Sequence, residues 1–156
     1  MTDSTNFKTL VDVVIKAECA GTPRNELILD LGPTPQHLLD CGFNQHTIVV
    51  KAATIGKMFF DHGITQGVIE RLPSIIQTPD QIFTSSTTSG SAVIFTYEVK
   101  GSSPIIIAIH KDKTIGRQSV NLIASMYAKT GPDQRPRWIR DGLLLWDSAQ
   151  GGVVAP

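Results

Sequence analysis

Apolar positions recur at helical spacing in NFKTLVDVVIKAEC, where Leu10, Val13, Val14 and Ala17 form one stripe behind the cap candidates Ser4 and Thr5 and ahead of Gly21. The pattern predicts an amphipathic helix. ELILDLG then reads as a short strand, and TPQHLLDCG as a brief helix with Pro35 in its first turn and Gly42 just past its end. TIVVK reads as a strand, and Ala53 to His62 as a helix ended by Gly63. GVIERL follows as a second short helix, capped by Thr65 and stopped by Pro73.

The pattern changes after Pro79. QIFTSS, SAVIFTYEVK, SPIIIAIHKD and SVNLIASMYAK are β-branched or aromatic runs divided by turn-forming stretches, so they predict consecutive strands in an antiparallel meander. PRWIRDGLLLW reads as a short helix and a last strand. Helices first and strands afterwards is an α+β order, with N-terminal helices packed on a C-terminal antiparallel sheet. Residues 1–25 are expected to form a helical extension, residues 26–148 the α+β domain and residues 149–156 a loose tail.

Alternation along VNLIASMYA sends Val120, Leu122, Ala124 and Met126 to one face, wholly apolar and expected to pack on the helices. The opposite face would display Asn121, Ile123, Ser125 and Tyr127. In SAVIFTYEV the odd positions are apolar, while Thr96 and Glu98 point the other way. Uncharged hydrogen-bonding groups beside an isoleucine suit a half-enclosed cleft, although solvated faces are common in antiparallel sheets.

Composition narrows the class of protein without changing this picture. The chain has 156 residues, 41% of them hydrophobic and 18% charged, enough for one core without disulfides or metal. No apolar run approaches the roughly 20 residues that a membrane-spanning helix needs, so no membrane partner is expected. MTDSTNF has no basic region followed by an apolar stretch, which makes the cytoplasm the expected location. Cys19 and Cys41 read as reduced, buried small hydrophobes, and without a Cys/His cluster neither a metal site nor another cofactor is expected. The net charge of zero conceals an asymmetry: between Lys100 and Arg140 eight basic residues meet only Asp112 and Asp133, a net of +6, whereas residues 1–47 carry −3. A polyanion would prefer the second half, through DQRPRWIR with Arg135, Arg137 and Arg140 above all. The same residues could equally decorate turns for solubility.

The stretch TIGKMFFDHG carries the candidate chemistry. It sets Lys57 and His62 around Met58, Phe59 and Phe60, and two readings stand. In one, Lys57 pairs with Asp61 at i, i+4 and His62 favours the negative helix terminus. In the other, the two are an acid/base and cationic pair. Against the second, residues five apart stand about 140° apart around an ideal helix of 3.6 residues per turn. His46, ahead of a strand, could touch a substrate, while His37 and His110 read as surface and turn residues.

The order HTIVVKAATIGKMFFDHGIT, VIERLPSIIQTPDQIFTSS, PIIIAIHKD, VNLIASMYAK and WIRDGLLLW resembles the phage MuF carboxy-terminal type of nuclease domain, in the barnase, EndoU, colicin and RelE-like group. The resemblance covers about Glu26 to Trp146. It implies a metal-independent endoribonuclease acting as a toxin or effector in the cytoplasm of a host bacterium. Lys57, His62, Ser125 and Tyr127 stand at the catalytic places, and His46, Thr96, Asn121, Arg135, Arg137 and Arg140 are the substrate-binding candidates. RNA, with tRNA among the candidates, is the expected substrate, and a small acidic immunity or antitoxin protein the expected partner. The competing reading is a non-catalytic phage or host accessory protein that uses the same fold to bind a protein.

Overall fold

The computed structural model describes residues 4–154, with the side chains of Ser4 and Thr5 outside the described residues, so the two cap candidates lie beyond it. Helix α1 (Ser4–Cys19) ends where Gly21 takes φ +76, the left-handed conformation that a glycine adopts without penalty. Its buried stripe is Phe7, Val11, Val14 and Ile15, rotated from the one expected, with Leu10 only partly covered and Val13 exposed. The periodicity is the same, and Phe7, the largest apolar side chain of the helix, sets the inward direction.

Strand β1 (Ile28–Pro33), helix α2 (Gln36–Asp40) and strand β2 (Thr47–Lys51) follow. Helix α3 (Ala52–Gly56) continues into a π-helical turn over Lys57–Asp61, where a uniform helix was expected. Helix α4 (Gln66–Glu70) is capped by the Thr65 hydroxyl, which accepts from the Val68 N–H. Helix α4 does end ahead of Pro73, which itself sits in the first turn of α5 (Leu72–Ile75), where its missing N–H would have had no partner.

The remaining strands are β3 (Gln81–Thr84), β4 (Ser91–Lys100), β5 (Ser103–Ile115), β6 (Gln118–Ala128), β7 (Leu144–Asp147) and β8 (Gly152–Val153), with α6 (Arg135–Arg140) before β7. All eight strands form one sheet in the order β1-β2-β6-β5-β4-β3-β7-β8. The expected meander is there, since β4, β5 and β6 pair antiparallel through two-residue turns at Gly101–Ser102 and Gly116–Arg117. The sheet as a whole is mixed, because β2 lies parallel to β6 and brings β1 with it. Helices and strands therefore interleave in the first half, and the architecture is a mixed sheet with helices.

Consecutive residues of the central strands divide between two clusters, Ile82 from Phe83, Ile94 from Phe95 and Ile105 from Ile106. Alternation puts the clusters on opposite faces. The larger one joins the sheet to α1, α3, the π turn, α4 and α5, so the helical extension of residues 1–25 contributes Phe7, Val11, Val14 and Ile15 to the main core. The smaller one lies under Trp138 of α6, which leaves the rest of that face uncovered. In the tail expected to be loose from residue 149, Ala149 and Gln150 complete a 3-10 turn begun at Ser148, and β8 pairs with β7 through Trp146 and Asp147.

The face assignment on β6 needs correction. Pairing with β5 runs Ala108 to Ser125 and then Ile109 to Ile123, leaving Ala124 without a partner. Such a bulge inserts one residue and reverses every side chain beyond it. Ile123 and Met126 therefore share the helix-packed core, and Asn121 lies on that inner side, whereas Ser125 and Tyr127 face outward as expected. Cys19 is exposed rather than buried. Cys41 packs half-buried against the core, and burial pushes its thiol up to about 11, which favours the neutral thiol.

Candidate functional site

In the π turn the His62 N–H donates to the Lys57 carbonyl at 3.0 Å, an i→i+5 closure, and the Ile64 N–H returns to the Met58 carbonyl at 2.9 Å. An α-turn stacks residues four apart, and a π turn gives that place to residues five apart. The 140° objection to pairing Lys57 with His62 rests on an α-helix that the chain does not form here. Met58 anchors the turn in the core at 0% exposure, while Lys57 is on the surface. Gly63 follows at φ +63, and a Cβ there would come within 2.5 Å of Lys100 Nζ, which donates to the His62 carbonyl at 3.1 Å. The left-handed conformation is what favours glycine here, since the Lys100 ammonium is the tip of a flexible side chain that could move aside.

The His62 ring lies against Tyr127, with centroids 5.7 Å apart and planes tilted by 42°. Tyr127 pairs with Ile106 across the sheet, and Ser125, two residues earlier on β6, shares its outward face. Among the described residues none hydrogen-bonds or ion-pairs with the side chains of Lys57, His62, Ser125 or Tyr127. The alternative Lys57–Asp61 ion pair is thus not formed. A half-exposed imidazole, a phenol and a hydroxyl, unengaged at one end of a sheet face, are free to meet a ligand.

The other candidates have structural employment. Asn121 is 0% exposed: its amide donates to Thr34 Oγ1 at 2.8 Å and the Asn44 carbonyl at 2.9 Å, and accepts from the Asp112 N–H. The Thr96 hydroxyl, also buried, donates to the Ile105 carbonyl at 2.7 Å. His46 Nε2 bonds to Asp112 Oδ1 at 2.9 Å, six residues along β5 from Ile106, the partner of Tyr127. Asp112 is held below the usual carboxylate range, chiefly by the Asn44 amide and then by His46. Arg135 binds Asp133 through Nε and Nη2, lies 3.6 Å from Asp80 and stacks over Phe95, so acids consume its charge. Arg137 makes only a long 3.9 Å pair with Asp141, and both it and Arg140 are exposed.

One pair escaped the sequence reading. His110, taken for a turn residue, lies within β5 opposite Ser91, whose hydroxyl meets its Nδ1. Burial, and after it the charge of Lys113, lowers its pKa and favours the neutral imidazole. The hairpin turn alone would set Ser91 against Asp112; an irregularity between Phe95 and Val99 shifts the register to His110. Runs of apolar residues give no sign of such a slip. His37 is likewise half-buried, bonded through Nε2 to the Ile76 carbonyl at 2.7 Å and packed against Trp146.

The model of the phage MuF C-terminal domain family matches residues 54–150, well over half of the chain. The chain belongs to that family. No curated protein and no solved structure matches it. The match to the MuF C-terminal domain begins at the threonine three residues before Lys57, so it contains Lys57, His62, Ser125, Tyr127 and the Ser91–His110 pair. It is shorter than the span from Glu26 expected from segment order: β1, α2, β2 and His46 precede it. Among the described residues no helix is long and apolar enough to cross a membrane, and no three His, Cys, Asp or Glu side chains stand together as a ligand set.

Proposed function

We propose that this phage-associated domain is a metal-independent endoribonuclease of the barnase, EndoU, colicin and RelE-like kind, acting as a toxin or effector on host RNA in the bacterial cytoplasm. The observation that carries the reading is the meeting of His62 with Tyr127 beside Ser125, their polar atoms bonded to no other side chain among the described residues, at the end of a π turn whose backbone bond joins His62 to Lys57. Cleavage of this kind needs a base for the 2′-hydroxyl, a donor for the leaving oxygen and positive charge at the crowded phosphate. Neutral His62 takes the 2′-hydroxyl proton, the freed oxygen attacks phosphorus, and a 2′,3′-cyclic phosphate forms as the bond to the 5′-oxygen breaks. Tyr127 or water returns a proton to that oxygen. Lys57 neutralises the added charge, and Ser125 donates to a phosphate oxygen.

A small acidic protein covering this end of the sheet is the partner this reading implies. Incubating the purified protein with total RNA, tRNA included, in EDTA tests it. Reproducible cleavage that His62→Ala abolishes is the expected result. RNA left intact by the wild type would favour a non-catalytic accessory protein built on the same fold.

A further inference from the structure

Tyr97 is 63% exposed, yet its side chain is fixed. Its phenol donates to Ser148 Oγ at 2.8 Å, and that hydroxyl donates in turn to Asp80 Oδ1 at 3.1 Å. Its backbone is equally constrained. Between Phe95 and Val99 the pairing with β5 is interrupted, four steps on β4 spanning two on β5 from Ile106 to Pro104. The Thr96 hydroxyl holds this irregularity by donating to the Ile105 carbonyl and accepting from the Glu98 N–H at 3.1 Å. Irregularities of this type re-aim side chains beside functional sites. The two extra residues preserve parity, so Tyr97 shares the outward face of Phe95 and Tyr127.

We infer that Tyr97 is a preorganised stacking platform for a base of single-stranded RNA, on β4 and separated by β5 from the His62–Tyr127 contact on β6. The inference rests on the ribonuclease reading of that contact. A solvent-facing aromatic ring ordinarily swings; this one is tied at both ends, which removes the ordering cost that a stacked base would otherwise impose. Val99, 62% exposed, extends the apolar surface on the same face. The charge around it suits a polyanion. The nearby acids Glu98 and Asp80 are occupied by Arg71 and Arg135, while Lys100 and Lys129 flank the start of β5, Lys129 through its N–H bond to the Pro104 carbonyl.

Binding of fluorescent 2′-O-methyl hexamers of adenylate and uridylate, which lack the attacking hydroxyl, separates recognition from cleavage. Tyr97→Ala should weaken binding of both about fivefold to a hundredfold, the loss of one base–aromatic stack, with the salt slope unchanged because no phosphate contact is removed. Tyr97→Phe, which keeps the ring and frees it, should lose less, and Tyr97→Trp least. Wild-type protein that binds the hexamers while Tyr97→Ala binds them equally well would overturn the platform and leave the ribonuclease reading standing. Wild-type protein that binds no hexamer would overturn both, and a concentration-dependent dimer lost in Tyr97→Ala would then assign the ring to a protein contact.

Discussion

The main chains of Lys57 and His62 are joined by an i→i+5 hydrogen bond of 3.0 Å, which makes the two residues neighbours along the helix where an α-turn would have parted them. π turns cost hydrogen-bond geometry and cluster at functional sites. Here the wide turn ends on an imidazole resting against Tyr127. His62→Ala and Lys57→Ala should each slow RNA cleavage about a hundredfold to ten-thousandfold, the usual contribution of an acid/base or charge-stabilising group. Melting temperature should hardly move, since neither side chain has a protein hydrogen bond or ion pair to lose. A helix-end role for His62 predicts the reverse, about 0.3 to 2 kcal/mol of stability and full activity. One preparation of His62→Ala, assayed for melting and for cleavage, decides between the two.

The bulge at Ala124 sets three neighbouring positions apart in stability. Ser125→Ala should change the unfolding free energy by about 0.5 kcal/mol or less, because its outward hydroxyl bonds to nothing in the described structure. Met126→Asp should unfold the domain by placing a carboxylate in the core. Asn121→Ala should cost about 1 to 3 kcal/mol, because it removes a fully buried amide and the three hydrogen bonds that it makes to Thr34, Asn44 and Asp112. Urea titrations give the ranking, and an Asn121→Ala variant as stable as Ser125→Ala would place Asn121 on the wrong face.

Periodicity revealed nearly every element here, because each strand and helix buries a face whose repeat is printed in its residues. It missed what depends on a single inserted residue. The slip at Ala124 turned Asn121 from a displayed candidate into a core amide, and the interruption at Thr96–Glu98 carried His110 from a turn to a place opposite Ser91. Both irregularities arise where tertiary packing overrides alternation, which local sequence does not record. The parallel pairing of β2 with β6 was hidden for a related reason, since it joins residues some 73 positions apart, Thr47 with Val120. His62 and Tyr127 were legible only through segment order; their contact follows from the π turn, for which KMFFD has no distinctive pattern.

The arginines of α6 divide by their partners. Arg135→Gln should destabilise the fold by about 1 kcal/mol through loss of its pairing with Asp133 and Asp80, and should leave the salt dependence of RNA binding as it was. Arg137→Gln with Arg140→Gln should leave melting unchanged and lower the slope of log affinity against log salt by about 1.4, two contacts at roughly 0.7 each for a single strand. Equal slopes in the double variant and the wild type would remove α6 from the RNA path.

Two histidines make stability depend on pH near neutrality. Burial lowers the pKa of His37 and of His110, opposed at His37 by the Ile76 carbonyl and reinforced at His110 by Lys113. In the unfolded chain both titrate near 6.5. Between that value and the lower folded one, the unfolded state binds more protons, so stability rises with pH. It is complete above the unfolded pKa and is lost progressively as the pH falls below about 6.5, until the folded groups protonate in turn. Melting temperature should therefore drop between about pH 7.5 and 5.5, well above the range in which carboxylates begin to titrate. His110→Asn, which keeps a polar group for Ser91 without a titrating ring, should flatten part of that slope, and His37→Gln another part. A wild-type melting temperature that is level across the interval would show that both rings protonate as readily in the fold as outside it.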